Sequence, residues 1–525
     1  MINPKRCLTF QEEIAVKGDF LYLAELVNTR GVITEPEGQT LLELASLLAD
    51  DHRINAISIT DNAGGNAMLA PDILGSFLQK SGQNVIIHLS CKDWNRNAIQ
   101  SQAWKLSSDG FHNILSLSGD YPTGGGYSGQ AEPAFDLDSI GLLEMLNDMN
   151  LGLKVNIGKR NLQLSPTEFF MGSVVNNFKL LERELMPQYF KLAKKIATGA
   201  RFIINQIGYD SRKQDELLKY MQKHDLNVPA IANVYVLNKG TARFFNRGNI
   251  PGVIVTDELM ALSEKHGSSP DKGKSFFLEF AAKQCAIARG LGFQGCYLGG
   301  HLKYDDYEKI FSIIETFRNE DWQVFAEEIL FSQKGEFYYF EPNSDSGLSS
   351  TEVNLEYLSS KERINLKKGR RKLPILYKMN RGIHEKIFEK ESKFFKIGKR
   401  VSEKLVNWTA FLQKLTHGTE LLIKKTCFDC RDCGDCSLPD IAFLCPESQC
   451  VKNQRNGACG GTRPGGKCEI GDKDCIWSLA YDRLKAFGEE DNILKRPTII
   501  KNSGLRGTSA WVNNFLERDN HGKHK

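Results

Sequence analysis

Nine of the thirteen cysteines lie within residues 427 to 475, and the stretch CFDCRDCGDC spaces four of them at intervals of three residues. Thiolates crowded in this way bind metal in a reducing compartment, and Cys-x2-Cys-x2-Cys followed by further cysteines is a spacing that wraps a 4Fe-4S iron-sulfur cluster. Structural zinc, the alternative, more often uses two Cys-x2-4-Cys pairs separated by a longer gap. Spacing alone does not divide the ligands between sites. The predicted ligands are Cys427, Cys430, Cys433, Cys436, Cys445, Cys450, Cys459, Cys468 and Cys475.

A second set of polar residues ends short β-rich runs in the first 310 residues, although each could also be a helix cap or turn former. Glu25 follows an apolar run, where partial burial would raise its pKa toward that of a general acid. Asp120 precedes a glycine-rich loop in which a backbone can approach a flat ligand closely. That loop matches neither a P-loop nor a dinucleotide fingerprint. The set comprises Glu25, Thr60, Asp61, Asn62, His88, Asp120, Asn156 and Gln206.

The runs that carry these residues alternate with amphipathic segments whose apolar residues return every three or four positions. Strands that alternate with helices pair in parallel, and eight such units close into a barrel with its active site at the C-terminal strand ends. The sequence therefore predicts an α/β protein containing a (βα)8 TIM barrel. The eight predicted strands are residues 19–26, 56–60, 84–90, 113–118, 151–157, 201–207, 228–234 and 292–298.

The remaining composition bounds the domains and the location. The chain has 525 residues and a net charge of +4, and no run of about 18 apolar residues could cross a bilayer. Its first residues lack the apolar segment and cleavage site of a signal peptide, which predicts a cytoplasmic protein with no membrane partner. A basic segment at 361–400 separates the two halves. We predict a barrel at 1–315, a connector with the basic segment at 316–384, a small Cys-rich domain at 385–490 and a C-terminal tail at 491–525.

Across roughly residues 15 to 305 the chain resembles methylenetetrahydrofolate reductase, a flavin-dependent barrel enzyme of one-carbon metabolism. The resemblance rests on ISITDNAGGN, IIHLSC, NILSLSGDYP, GSVVNNF, TGARFIINQIGYD and IPGVIV, in the family's order and spacing. It implies a folate substrate, an FAD or FMN cofactor and a homo-oligomer. It also implies that the flavin is lined by Thr60, Asn62, His88, Gly119, Asp120, Asn156 and Asn176.

The resemblance further implies roles in the chemistry. Glu25 would be the general acid that helps to open the five-membered ring of the folate, and Gln206 would hydrogen-bond the pterin. Asp120 would lie near N1 of the flavin, where a carboxylate disfavours the anionic reduced form, and would also act on the folate. Lys239 stands where the common bacterial enzymes have an aromatic ring, so nothing in the sequence requires a nicotinamide donor.

The Cys-rich part looks like the C-terminal domain that follows some of these reductases, and like the small subunit of the two-subunit acetogen enzymes. The shared marks are the four evenly spaced cysteines, CPESQC, NGACGG and CIWSLAYDRL. This implies electron input through the Cys-rich part to the flavin, from ferredoxin, flavodoxin or another carrier. A basic segment beside the cysteines would suit an acidic carrier.

Three other interpretations remain open on the sequence. The first is the same reductase with a structural zinc domain and NAD(P)H as donor, and the second is a pterin-binding methyltransferase barrel. The third treats the basic and Cys-rich parts as a nucleic-acid-binding unit. Nucleic acid is the least expected partner, because aromatic side chains that would stack on bases are sparse there.

Overall fold

The structure is a computed structural model that describes residues 8–16, 18–122, 124, 127–366, 373–406 and 410–522. Its strands are β1 Leu21–Leu26, β2 Ala56–Ile59, β3 Val85–Ser90, β4 Asn113–Leu117, β5 Lys154–Ile157, β6 Arg160–Gln163, β7 Phe170–Val175, β8 Phe202–Asn205, β9 Ala230–Val236, β10 Gly295–Gly300, β11 Phe340–Pro342 and β12 Ser349–Val353. Eight of them form a closed parallel barrel in the order β1, β2, β3, β4, β7, β8, β9, β10, and β10 pairs with β1. The predicted (βα)8 barrel is thus confirmed.

Helices follow the barrel strands and continue into the C-terminal half. They are α1 Phe10–Ala15, α2 Pro36–Asp50, α3 Pro71–Lys80, α4 Arg96–Ser108, α5 Ser139–Leu151, α6 Glu182–Ala197, α7 Ser211–Lys223, α8 Lys239–Asn246, α9 Asp257–His266, α10 Lys274–Leu291, α11 Tyr304–Ile314, α12 Asp321–Glu328, α13 Leu355–Leu366, α14 Ile375–Ile387, α15 Lys393–Val406, α16 Ala410–Phe428, α17 Pro446–Gln449, α18 Ile476–Lys485, α19 Asn492–Lys495 and α20 Ala510–Phe515. None of the helices in the described ranges has the length and apolar character needed to cross a membrane.

The barrel interior is filled by alternate residues of each strand, because successive side chains of a strand point to opposite faces. One layer of apolar side chains closes the N-terminal end of the barrel, where α1 inserts Phe10 against Phe170 and Phe202 with ring centroids 6.0 and 5.3 Å apart. With the N-terminal end filled by apolar side chains, the inward-facing polar side chains lie at the C-terminal end of the barrel. The same alternation places Glu25 inward after Leu21 and Leu23.

The predicted fifth strand, 151–157, is wrong. Lys154–Ile157 instead pairs antiparallel with Arg160–Gln163 in a hairpin outside the barrel. Its apolar and polar residues alternate, which suits a half-exposed ribbon, whereas parallel barrel strands are buried on both faces. The fifth barrel strand is Phe170–Val175, which is buried along nearly its whole length. Gly172 in this strand reads as a strand breaker, yet a Cβ there would lie 2.2 Å from the Phe202 ring.

The C-terminal half packs onto the barrel and shares its hydrophobic core. Helix α18 lies on α6, where Tyr481 donates a 2.6 Å hydrogen bond to Glu182. The predicted boundary between 384 and 385 falls inside α14. Residues after 491 return to the Cys-rich region, where the Asp435 carboxylate accepts hydrogen bonds from the backbone N–H groups of Asn502 and Asn520 at 2.7 and 2.9 Å.

His521 holds this C-terminal segment through two carboxylates. Its ring nitrogens lie 3.2 Å from Asp519 Oδ2 and 3.1 Å from Asp440 Oδ2. Burial alone lowers the pKa of His521, but these carboxylates outweigh burial and raise it to about 10. Since the folded-state pKa exceeds the usual 6.5, this stabilisation is complete below about pH 6.5 and is lost as pH rises through about 10.

We therefore expect His521→Gln to lower the melting temperature by about 2–4 °C near neutral pH. The difference from wild type should vanish above about pH 10, because the imidazole is then neutral in both states. Differential scanning calorimetry across pH measures this, with the exposed His52→Gln as the matched control. An equal difference at all pH values would show that His521 is not a cation here.

Candidate functional site

A cavity of about 300 Å³ opens at the C-terminal ends of the barrel strands, within the size range of small-molecule sites. Its floor is formed by inward-facing residues of the strands and their ends. These are Glu25, Thr60, His88, Leu115, Leu117, Val174, Asn176, Ile204, Gln206, Asn233 and Tyr297. The apolar side chains among them can pack on a flat aromatic ligand, and the polar side chains can orient it by hydrogen bonds.

Glu25 is the titratable group in this floor with the pKa suited to acid catalysis. The Tyr297 hydroxyl donates a 3.1 Å hydrogen bond to Glu25 Oε1. Removal from bulk water raises the pKa of Glu25 to about 7, and the hydrogen bond from Tyr297 opposes this in part. A Cβ at Gly299 would lie 2.5 Å from Glu25 Oε2, so the glycine leaves room for the carboxyl group. Near neutral pH the group can both hold and release a proton.

His88 lies beside this pair as a neutral imidazole. Its Nε2 lies 2.8 Å from Ser58 Oγ and 3.4 Å from the Tyr297 hydroxyl. Burial lowers the pKa of His88 to about 3, so the ring is uncharged at neutral pH. His88 can therefore orient Tyr297 and a ligand by hydrogen bonds without adding a charge near Glu25.

Asp120 and Gly119 form one edge of the cavity. Asp120 Oδ2 accepts a 2.9 Å hydrogen bond from Gly64 N, which joins the loops after β2 and β4. Gly119 has φ +80°, and a Cβ there would lie 2.4 Å from Lys92 Cγ, so only glycine fits. Asp61 also lines the cavity, whereas Asn62 turns to its own loop and accepts a hydrogen bond from Met68 N at 2.8 Å.

Two lysines of α6 form another wall of the cavity. Lys191 and Lys195 are four residues apart and therefore lie on one face of the helix, and both line the cavity. Lys195 Nζ donates to Val174 O at 2.5 Å, and Lys191 Nζ donates to Gln454 Oε1 at 2.9 Å. Burial lowers the pKa of Lys195 well below its usual range, so its amine serves a ligand as a hydrogen-bond donor rather than as a fixed cation.

The Cys-rich domain forms a further wall of the cavity, opposite the barrel strands. Lys179 Nζ donates to Gly460 O and to Thr462 O, both at 2.7 Å, and the Asn176 side chain donates to Gly460 O at 2.9 Å. Gln188 donates to Cys459 O at 2.8 Å. The cavity is consequently a two-domain site, and Cys459 lines it together with Ala458, Gly460 and Gly461.

A buried ion pair from the same domain reaches the Asp120 loop. Lys452 Nζ lies 2.6 Å from Glu469 Oε2 and donates to Gly119 O at 2.8 Å. Burial alone lowers the pKa of Lys452, but the Glu469 carboxylate outweighs burial and raises it, so the ammonium group stays charged. The contact fixes the backbone next to Asp120 and places a cation near its carboxylate.

The nine clustered cysteines divide into two groups. Neighbouring thiols add to burial in raising the pKa of Cys436 and of Cys459, each to about 12. In the described parts of the chain, no three His, Cys, Asp or Glu side chains are close enough together to hold a single metal ion. The first group is Cys427, Cys430, Cys433, Cys436 and Cys445, and the second is Cys450, Cys459, Cys468 and Cys475.

Most of the predicted barrel residues meet in the cavity. The structure brings together Glu25, Thr60, His88, Gly119, Asp120, Asn176 and Gln206. It does not bring Asn156 there, because this residue is exposed on the hairpin outside the barrel. The amide donors of Asn176 are used by Gly252 O and Gly460 O, so its role is to join the two domains.

Sequence reasoning missed Tyr297, Lys191, Lys195, Lys452 and Glu469. Tyr297 could have been found, because it lies in the predicted strand 292–298 and points inward, on the face opposite Cys296 and Leu298. The lysines of α6 read as a solvated helix face and are covered only because the C-terminal domain docks there. No local pattern indicates such a contact between distant parts of a chain.

Comparison with protein families gives two matches. A family described as methylenetetrahydrofolate reductase matches residues 10–298, and one described as methylene-tetrahydrofolate reductase C terminal matches residues 410–503. A comparison with curated protein sequences finds no match. The two matched regions cover the barrel with most of its cavity residues and all nine clustered cysteines.

Comparison with solved structures gives matches of low identity. An uncharacterized Clostridium thermocellum protein that binds two copies of 5-methyl-5,6,7,8-tetrahydrofolic acid is 14% identical, with a TM-score of 0.39 over 58% of this chain and 96% of that chain. 2,3-Dimethylmalate lyase of the PEP mutase/isocitrate lyase superfamily is 8% identical, with a TM-score of 0.32 over 55% of this chain and 77% of that one. Neither score is high enough to bear on function.

Proposed function

The chain belongs to the methylenetetrahydrofolate reductase family, and from this premise we propose that it reduces 5,10-methylenetetrahydrofolate to 5-methyltetrahydrofolate with a bound flavin, FAD or FMN. We further propose that electrons enter through the Cys-rich domain. The observation that carries the proposal is that Glu25, Asp120 and Cys459 line one cavity. The proposed proton donor, the residue at the proposed flavin edge and the proposed point of electron entry then lie in the same cavity.

The residues of the cavity suit the two halves of the reaction. A bound flavin would supply hydride to the methylene carbon of the folate. Glu25, protonated below its pKa of about 7, donates the proton to the nitrogen that leaves this carbon as the five-membered ring opens. Gln206 lies at the end of β8 in the same cavity, where its amide can bind the pterin edge.

The cavity also suits a flavin. The apolar side chains of Leu117, Val174 and Ile204 can pack on an isoalloxazine ring, and Asp120 lies at its proposed N1 edge. The side-chain amines of Lys191 and Lys195 provide hydrogen-bond donors for the phosphate of a nucleotide flavin. Lys452, close to Asp120, partly offsets the carboxylate that would otherwise disfavour the anionic reduced form.

The two cysteine groups support two iron-sulfur clusters rather than one. Each group contains at least the four thiolates that a 4Fe-4S cluster needs. We assign the second group, which includes Cys459, to a cluster next to the cavity, and the first group to a cluster farther out. Residues 458–461 line the cavity, so the second cysteine group lies beside the proposed flavin site, which supports electron input through a cluster.

Anaerobic turnover tests the proposal. Enzyme reduced with dithionite and mixed with methylenetetrahydrofolate should form methyltetrahydrofolate, detected by chromatography, whereas NADH and NADPH should support little reaction. Absence of product from reduced, flavin-loaded enzyme would exclude the reductase assignment. Efficient turnover with NADPH would instead remove the Cys-rich domain from the electron path.

Tyr297→Phe should change the pH dependence of this reaction. The Tyr297 hydrogen bond stabilises the charged form of Glu25, so its loss should raise the pKa of Glu25 from about 7 by about one unit. The alkaline limb of the single-turnover rate should therefore move to higher pH, with the rate at low pH nearly retained. An unchanged pH profile would contradict the assignment of Glu25 as the acid.

A further inference from the structure

A second cavity lies beside the first cysteine group, far along the chain from the barrel site. Its volume is about 270 Å³, and its walls are mainly apolar. Met379 and Ile383 of α14 face Ile423 of α16 across it, and Cys427 and Cys436 lie in its wall. An apolar opening next to a cysteine group is a surface through which an electron could reach a cluster.

The apolar character continues from this cavity onto the outer face of α14. Ile375, Met379, Ile383 and Ile387 recur every four residues and thus form one line along the helix. Their exposure falls from 84% at Ile375 to 37% at Ile387, high for large apolar side chains. A contiguous exposed apolar strip of this kind marks an interaction surface.

Positive charge surrounds the strip. Residues 375–428 contain twelve Lys or Arg residues and five Glu residues. Lys378 and Lys386 flank the strip on α14, and Lys425 lies beside Ile423 on α16, all three exposed. Two carboxylates of this region pair with other cations, Glu420 with Lys424 at 2.6 Å and Glu489 with Arg381 at 2.6 Å.

We propose that this α14–α16 face is the docking site of a small acidic electron-carrier protein, of the ferredoxin or flavodoxin type, which reduces the first cysteine group. The inference rests on the proposed electron entry through that group. A second copy of the chain is the poorer occupant, because a two-fold contact would oppose identical basic helices. A carrier protein whose contact surface has an apolar centre and an acidic rim would complement the apolar strip and the basic residues of this face.

Stopped-flow reduction of the full chain by a reduced, acidic two-cluster ferredoxin tests the proposal. For wild type, the second-order rate constant should fall at least about tenfold between about 20 and about 300 mM salt. Lys378→Glu with Lys386→Glu should lower it about tenfold at low salt and remove most of the salt dependence. Met379→Ser with Ile383→Ser should weaken reduction at both salt concentrations.

The matched control is Lys154→Glu with Arg160→Glu on the exposed β5–β6 hairpin, which changes the net charge equally and should leave the rate within about twofold. Reduction by dithionite should be the same in all variants, and its failure would count against the cluster itself. Wild-type ferredoxin rates in both α14 variants would overturn the docking site. So would occupation of this face by a dimer in sedimentation, or by anionic vesicles in flotation, that excludes ferredoxin.

Discussion

Glu25→Gln should lower the rate of folate reduction by about 10²–10⁴-fold, the usual contribution of a positioned general acid. Glutamine keeps the size of the side chain and can accept the hydrogen bond from Tyr297, but it has no acidic proton to give to the departing nitrogen. Reduction of the flavin itself should proceed as in wild type, because the proposed electron path does not pass through Glu25. Stopped-flow absorbance of the two half-reactions separates these effects.

The control for this variant is Glu43→Gln, the same chemical change at an exposed position of α2. It should leave both half-reactions unchanged. Folate turnover of Glu25→Gln within a few-fold of wild type would remove Glu25 from the chemistry. Loss of flavin binding in Glu25→Gln would make its role structural instead.

Cys433→Ser and Cys459→Ser should each remove one cluster. If each group holds a 4Fe-4S cluster, each variant loses about four iron atoms and the matching acid-labile sulfide per chain, and the double variant loses both. Ferredoxin-driven turnover should fall to background in both single variants, because the proposed electron path passes through both clusters in series. Iron and sulfide analysis together with electron paramagnetic resonance measures the loss.

The matched control is Cys285→Ser, a buried cysteine of α10 outside both groups. It should leave the iron content unchanged, although the buried hydroxyl can cost some stability. The single variants also show which cluster receives electrons first. Dithionite should still reduce the flavin in Cys433→Ser through the second cluster. Equal iron in all variants, or zinc in place of iron, would contradict the assignment of the two groups.

The barrel could be predicted because its signal is local. Short apolar runs alternate with amphipathic helices, and seven of the eight predicted strands overlap barrel strands. The prediction for 151–157 failed because this segment has the apolar and β-branched residues of a strand but forms part of a hairpin outside the barrel. The true strand, 170–175, contains Gly172 and Ser173, which weaken its pattern although a large ring needs the space of the glycine.

The site was predicted in part for a related reason. Glu25, His88 and Gln206 lie where strands end, so the strand positions largely determine theirs. The cations of the cavity depend instead on contacts between residues about 260 to 330 positions apart, such as Lys191 with Gln454 and Lys452 with Gly119. Nothing in the spacing of either segment encodes that contact. The division of the cysteines likewise requires the folded chain.

The most direct test of flavin reduction through iron-sulfur clusters is a visible spectrum of anaerobically purified protein, with flavin, iron, acid-labile sulfide and zinc quantified on the same sample. We expect flavin bands over a broad absorbance near about 400 nm that bleaches with dithionite, and about eight iron and eight sulfide per chain, as two 4Fe-4S clusters require. Flavin with zinc and no iron would make the Cys-rich domain structural. Protein that binds no flavin would contradict the proposal that the enzyme reduces folate through a flavin.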